Sequence, residues 1–85
     1  GMARLYIREG RFDKSRELLD PLLTRKRMHA SELNALCIAE IELGLAQGRP
    51  DTARSWVEML QRGDPDNPNL PELRRRVREA TRQGR

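Results

Sequence analysis

The sequence predicts an all-α protein, an antiparallel helix-pair solenoid of about five helices. Three observations carry this. First, the chain repeats itself: the run Leu5-Tyr6-Ile7-Arg8-Glu9-Gly10-Arg11-Phe12-Asp13-Lys14-Ser15-Arg16 returns from Leu43 to Arg54, an offset of 38 residues. Leu, Gly, Arg, Asp and Arg are identical at five aligned places, and Ile7/Leu45, Ser15/Ala53, Leu18/Trp56, Leu19/Val57 and Leu22/Leu60 match in character. Self-similarity at a fixed period of about 20–50 residues marks a repeat architecture. Second, apolar residues recur at helical spacing. Third, Gly and Pro punctuate the chain at Gly10, at Gly48-Arg49-Pro50 and over Gly63–Pro68.

Each element follows from its residues. Ala3–Glu9 reads as the end of a helix, with Met2, Leu5 and Tyr6 on one face and Gly10 as a left-handed stop. Seven residues are too few for a stable isolated helix, so the natural chain is expected to extend upstream. Phe12–Leu23 is the second helix, its stripe Ser15, Leu18, Leu19 and Leu22. Pro21 conflicts with that helix, because it removes a hydrogen bond and crowds the Glu17 carbonyl. A kink is the preferred resolution over a stop at Asp20, since Leu22 continues the stripe. Thr24–Ala30 is a polar, basic connection. Ser31 is the expected N-cap of the third helix, with Glu32 in its first turn. That helix runs to about Gln47 and is apolar nearly all round, as a helix buried between neighbours must be. Pro50 presets the start of the fourth helix, Asp51–Arg62, striped by Ala53, Trp56, Val57 and Leu60. Gly63–Pro68 is a turn-rich break. Asn69 then caps the fifth helix, and Glu72 completes a capping-box pattern. Only Leu70, Leu73, Val77 and Ala80 are apolar on one thin stripe there, so this helix reads as a terminal cap on the stack.

Composition bounds the function. With 85 residues the chain makes one small domain, taken as residues 2–85, with Gly1 read as an expression scar. Aromatics are 4% of the chain, so the core must come from Leu, Ile, Val and Ala. One Cys excludes an internal disulfide and suits a reducing, cytoplasmic setting. No apolar run approaches 18 residues, so no membrane insertion is expected, and no secretory leader is read. Net charge is +4, and residues 70–85 hold all of the excess, with six Arg against two Glu. Arg outnumbers Lys 15 to 2, which suggests a GC-rich, bacterial genome.

The turn Gly-x-Phe/Pro, the small residue three positions on (Ser15, Ala53) and the bulky pair behind it resemble tetratricopeptide repeats. Asp64-Pro65-Asp66-Asn67-Pro68 resembles the loop that closes such a repeat, and Ala3 and Tyr6 fit its small and aromatic positions. Unit one spans about residues 2–27, unit two about 31–68, and a capping helix about 70–83. The usual period is about 34, and the four extra residues here fall in the Arg25–Ala30 connection. Gly44 stands where Tyr6 does, Cys37 replaces a large aromatic, and Glu40-Ile41 replaces Leu-Gly.

The resemblance implies protein–protein binding rather than catalysis, with a concave groove lined by the first helix of each pair and holding a partner's peptide segment. It puts Arg4, Ile7 and Arg8 there from unit one, Ile38, Glu42, Leu45 and Ala46 from unit two, and Glu72 and Arg76 from the fifth helix. Arg4 and Arg8 lie one turn apart and suit an acidic side chain or terminal carboxylate. Some members of the family clamp a terminal carboxylate with Lys and Asn, and Arg4 falls where that Asn would be. Two other readings stand beside this one. A homodimer would cover the open face of the short first helix. Arg74, Arg78 and Arg82 form an i, i+4, i+8 row suited to phosphate contacts. Nucleic acid is the disfavoured partner, because Tyr6, Phe12 and Trp56 are better explained as packing. Cys37 on an apolar stripe reads as core, and His29 as a loop residue. No third group joins them for catalysis or metal binding, and no cofactor is expected.

Overall fold

In the computed structural model, which describes residues 2–84, five helices follow in order: α1 (Met2–Arg8), α2 (Phe12–Leu23), α3 (Ala30–Ala46), α4 (Pro50–Gly63) and α5 (Leu70–Gln83). Among the described residues there is no strand. Gly1 and Arg85 lie outside them. Among the described residues no helix is long and apolar enough to cross a membrane.

The internal repeat is repeated in geometry. Gly10 and Gly48 take φ of 75° and 70°, the left-handed region that a Cβ disfavours. After α1, the Gly10 N–H donates to the Ile7 carbonyl (3.0 Å) and the Arg11 N–H to that of Tyr6 (2.8 Å). After α3, the Gly48 N–H donates to the Leu45 carbonyl (3.2 Å) and the Arg49 N–H to that of Gly44 (2.7 Å). Both ends are therefore Schellman turns, which satisfy carbonyls the helix leaves unpaired. Each turn reverses the chain tightly into its second helix, where Ser15 and Ala53 are fully buried at matching positions. The Ser15 hydroxyl donates to the Phe12 carbonyl at 2.8 Å, so its polar atom is satisfied in the packed seam.

Two helix starts differ from expectation. α3 is capped by His29, with extended φ/ψ of −66°/153°, rather than by Ser31. The Glu32 carboxylate decides this: it accepts the His29 N–H at 3.0 Å, the returning arm of a capping box. At α5, Asn69 is already helical and its side chain makes no cap bond. Glu72 is held by Arg75 through two bonds of 2.7 Å instead of reaching back. The preceding loop does the capping work: the buried Asn67 accepts the Asn69 N–H (2.9 Å) and donates to Asp64 (3.0 Å), which also accepts from Asn34 on α3 (3.0 Å). What the sequence offers as a break is thus a polar clasp onto α3.

α2 runs unbroken through Pro21 to Leu23, which removes the alternative of a stop at Asp20. Glu17, whose carbonyl Pro21 leaves without a donor, is exposed to water.

Packing makes two layers: α1, α3 and α5 adjoin in order, and α2 and α4 lie behind them. α3 is buried on opposite sides. Cys37 and Ile41 join Ala53, Val57 and Leu60 of α4 and Leu70, Leu73 and Val77 of α5. Leu36, Ala39 and Leu43 join Ile7 of α1 and Leu19 of α2. Half-buried Trp56 touches both clusters, so it sits at their seam rather than in the centre of one.

Between α2 and α3 lies a charge pair that apolar periodicity gives no hint of. Arg16 donates to both oxygens of Glu40 (2.8 and 2.6 Å) and through Nε to Asp20 (2.7 Å). The Glu40 side chain is only 4% exposed. A bidentate guanidinium satisfies both of its oxygens, which is what lets a carboxylate stay there. Hydrogen bonding to Glu40 holds the Arg16 guanidinium protonated still more firmly than usual, despite its partial burial.

Candidate protein-binding groove

A helix presents residues three and four apart on one face. Arg4 and Arg8 on α1, Ile38, Glu42, Leu45 and Ala46 on α3, and Glu72 and Arg76 on α5 all follow that spacing. Because these three helices form one layer, their outer faces merge into one surface.

The nine residues implied for the groove line two adjoining hollows of this surface. The first, about 140 Å³, is bounded by Arg4, Ile38, Glu42, Glu72 and Arg76, with Asn69 and Leu73. The second, about 310 Å³, is bounded by Ile7, Arg8, Glu42, Leu45, Ala46 and Arg76. Ile7 is chiefly a core residue, 6% exposed, and offers the second hollow only its edge. Ile38 and Leu45 are half-buried, packed against the α3–α4–α5 core on one side. The floor is apolar and the rims are charged.

Glu42 sits between the two hollows. Its side chain is 15% exposed, with Arg4 Nε 2.5 Å from Oε1 and Arg76 Nη1 3.9 Å from Oε2. The Arg4 approach is ionic rather than a directed hydrogen bond, and Oε1 accepts none among the described residues. Glu42 therefore links α1 to α5 across α3. It also takes up part of the charge of two arginines. Arg8 is exposed and has no ion-pair partner among the described residues. The surface keeps a positive balance at the end nearest Arg8.

A third hollow, about 230 Å³, prolongs the surface along α5 past Leu45 to Arg75, Glu79, Ala80 and Gln83. Sequence reasoning stopped at Arg76. Carrying the helical period one turn further, from Glu72 and Arg76 to Glu79, Ala80 and Gln83, reaches these residues.

Arg74, Arg78 and Arg82 line none of these hollows. Arg74 is half-buried, Arg78 is exposed, and Arg82 lies 3.4 Å from Glu79 with its side chain 76% exposed. Arg54 of α4 reaches the same helix, donating to the Thr81 hydroxyl at 3.1 Å. Glu72, Arg75 and Arg76 face the groove side instead, so the arginine run is divided between two faces.

Cys37 is 1% exposed within the α3–α4–α5 core, and burial, then the nearby Glu40 charge, push its thiol up. A thiol held protonated this way is a poor nucleophile. His29 is exposed at the start of the same helix. Among the described residues no group of three or more His, Cys, Asp or Glu is placed to hold a metal.

Comparison with known proteins gives one family. A model described as tetratricopeptide repeat matches residues 1–21 and 35–59, which covers α1, most of α2, most of α3 and most of α4. No curated protein and no solved structure matches the chain.

Proposed function

The chain belongs to the tetratricopeptide repeat family, a non-catalytic scaffold that generally mediates protein–protein interaction, and we propose that its α1–α3–α5 surface binds an acidic peptide segment of a partner protein. The observation that carries this reading is the pairing of an apolar floor with an uncommitted cation. Ile7, Leu45 and Ala46 offer apolar contact beside the exposed Arg8. Arg76, at 3.9 Å from Glu42, is only loosely held and stands across the same hollow. Two guanidinium groups flanking an apolar patch suit a carboxylate next to an apolar side chain. Glu42 neutralises Arg4 and would repel a carboxylate set deeper, so it directs the acidic group toward Arg8.

Selection of a random peptide library on the protein tests this. The enriched sequences are expected to pair an acidic residue with an apolar neighbour. Arg8→Glu and Ala46→Glu both change exposed positions, so the fold tolerates them. Each is expected to weaken the selected peptide by about tenfold, roughly 1.4 kcal/mol. Affinity untouched by both variants would sink the groove assignment.

A further inference from the structure

The interface between α4 and α5 repeats the one between α2 and α3, and one position in it has changed sign. Moved by one repeat, Leu19 and Ala39 become Val57 and Val77. Each of these pairs shares a buried cluster, so the two interfaces pack alike. The same step turns Arg16 into Arg54 and Glu40 into Arg78. Where the first interface joins an arginine to a carboxylate, the second presents two arginines.

Arg54 reaches across to α5 as Arg16 reaches to α3. Its Nη2 donates to the Thr81 hydroxyl at 3.1 Å, and that hydroxyl donates on to the Val77 carbonyl at 2.9 Å. Thr81 thus fixes one edge of the guanidinium. Asp51 approaches Nη1 only to 3.5 Å, with its own side chain 91% exposed. Arg78 precedes Thr81 by three residues, so the two lie on one face of α5. Arg78 is exposed and has no ion-pair partner among the described residues, and neither has Glu58, which stands where Asp20 does in the first interface. Among the described residues no carboxylate takes the role of Glu40 there.

Two guanidinium groups on facing helices repel each other and share an attraction for one anion placed between them. The surroundings limit its size. Asp51 and Glu58 flank Arg54 one turn away on either side and repel a polyanion that runs past the pair. Arg74 and Arg82, the neighbours of Arg78 in its row, are half-buried and 3.4 Å from Glu79 respectively. A lone phosphate group fits these limits. It offers three acceptor oxygens and about −1.5 to −2 charge at pH 7, enough for two guanidinium forks, where a carboxylate has two oxygens and one charge. We propose that Arg54 and Arg78 bind one phosphate group, as inorganic phosphate or a phosphate monoester, across the α4–α5 seam, with Thr81 as the positioning residue that holds Arg54. This site lies off the α1–α3–α5 groove and does not depend on it.

The probe is inorganic phosphate, titrated into the intact chain at constant ionic strength, with acetate as its counterpart. The Nε–H resonances of Arg54 and Arg78 and the Thr81 amide are expected to shift and saturate on one curve. Acetate is expected to bind at least about tenfold more weakly. Arg78→Glu restores the charge pattern of the first interface, so it should raise the thermal midpoint without phosphate and remove the phosphate response. Arg54→Gln, at an exposed position, should weaken phosphate by at least about tenfold with the fold retained. Thr81→Val should weaken phosphate as well, and Thr81→Ser should leave it unchanged. A short peptide carrying one phosphoserine distinguishes the source of the group. Tighter binding than inorganic phosphate gives the site to a phosphorylated partner, and equal binding gives it to the free ion. Equal responses to phosphate and acetate, shifts spread evenly over the arginines, or a response that survives Arg78→Glu overturns the proposal. A nucleic-acid duplex that binds along Arg74, Arg78 and Arg82 far more tightly than either phosphate probe overturns it also, since the face would then read a polyanion.

Discussion

Arg16 and Glu40 show how much one pair can hold in a domain this small. Removing one partner of a buried pair leaves a charge without compensation, which costs about 3–5 kcal/mol, while replacing both by apolar groups is often neutral. Arg16 is 34% exposed, so water relieves part of the loss. Arg16→Met is expected to destabilise the fold by about 2–3 kcal/mol. Arg16→Met with Glu40→Met should recover most of that, and urea unfolding of the four species in a double-mutant cycle measures it. An additive cycle would show the pair to be uncoupled. Gly44 is the second residue that decides packing. A Cβ there would meet the Ala53 N, Cβ and Cα at 3.1, 3.2 and 3.3 Å. Two of these are backbone atoms of α4, whose interface with α3 is the most extensive in the molecule. Gly44→Val is expected to cost about 2–3 kcal/mol by overpacking, offset by only a few tenths of a kcal/mol from helix propensity, because Val is β-branched. Urea unfolding again reads it, and a stability loss under about 0.5 kcal/mol would show that the two helices part easily. Neither feature was legible in the sequence. Arg16 and Glu40 are 24 positions apart, and Glu40 appeared only as a departure from the family pattern. Gly44 was visible as a misfit at the position of Tyr6, yet the close approach that requires it exists only once α4 is docked.

The elements were the most legible part, and the reason lies in local chemistry. Gly10 and Gly48 announce left-handed stops, and both take them. Replacing either by Ala forces a Cβ into that region, at about 1–2 kcal/mol. Gly48→Ala is expected to lower the thermal midpoint by several degrees, and Gly10→Ala to match it because the two turns share the same hydrogen bonds. Helix starts were less legible, because several residues compete to cap and tertiary partners choose among them. Glu32 selects His29 over Ser31. Its carboxyl is held below the ordinary range, chiefly by the His29 N–H and then by Arg25. A lowered folded value means that the unfolded chain takes up the proton first. Glu32 therefore supports α3 fully above the ordinary carboxylate range and loses that support as pH falls through its depressed value. The side chain is exposed, so the effect is local. The His29 amide resonance is expected to follow this titration, and Glu32→Gln to remove the inflection. A His29 amide that stays fixed through the acid range would show the bond to be absent in solution.

At the scale of the molecule, the two units are not equally held. Nearest-neighbour contacts supply most of the stability in a stacked-helix array, so the elements with the fewest of them open first. α3, α4 and α5 share one closed cluster, and the Asp64–Asn67–Asn34 clasp ties their connecting loop to α3. α2 meets α3 through the Arg16–Glu40 pair and an apolar seam beside which Leu18 stays 44% exposed. α1 has seven residues, and among the described residues Glu42 is its one ionic link to α3. The helix-pair class followed from the repeat alone, but this asymmetry did not, because it depends on which equivalent positions are filled. Native-state hydrogen exchange is expected to show a graded pattern. Amides of α4 and the central turns of α3 should exchange only by global unfolding, while those of α1 and the C-terminal half of α2 exchange through a smaller opening. Arg16→Met should enlarge that difference, since it weakens the α2–α3 contact and removes the Arg16–Asp20 pair within α2. Equal protection across all five helices would mean that the two units unfold as one.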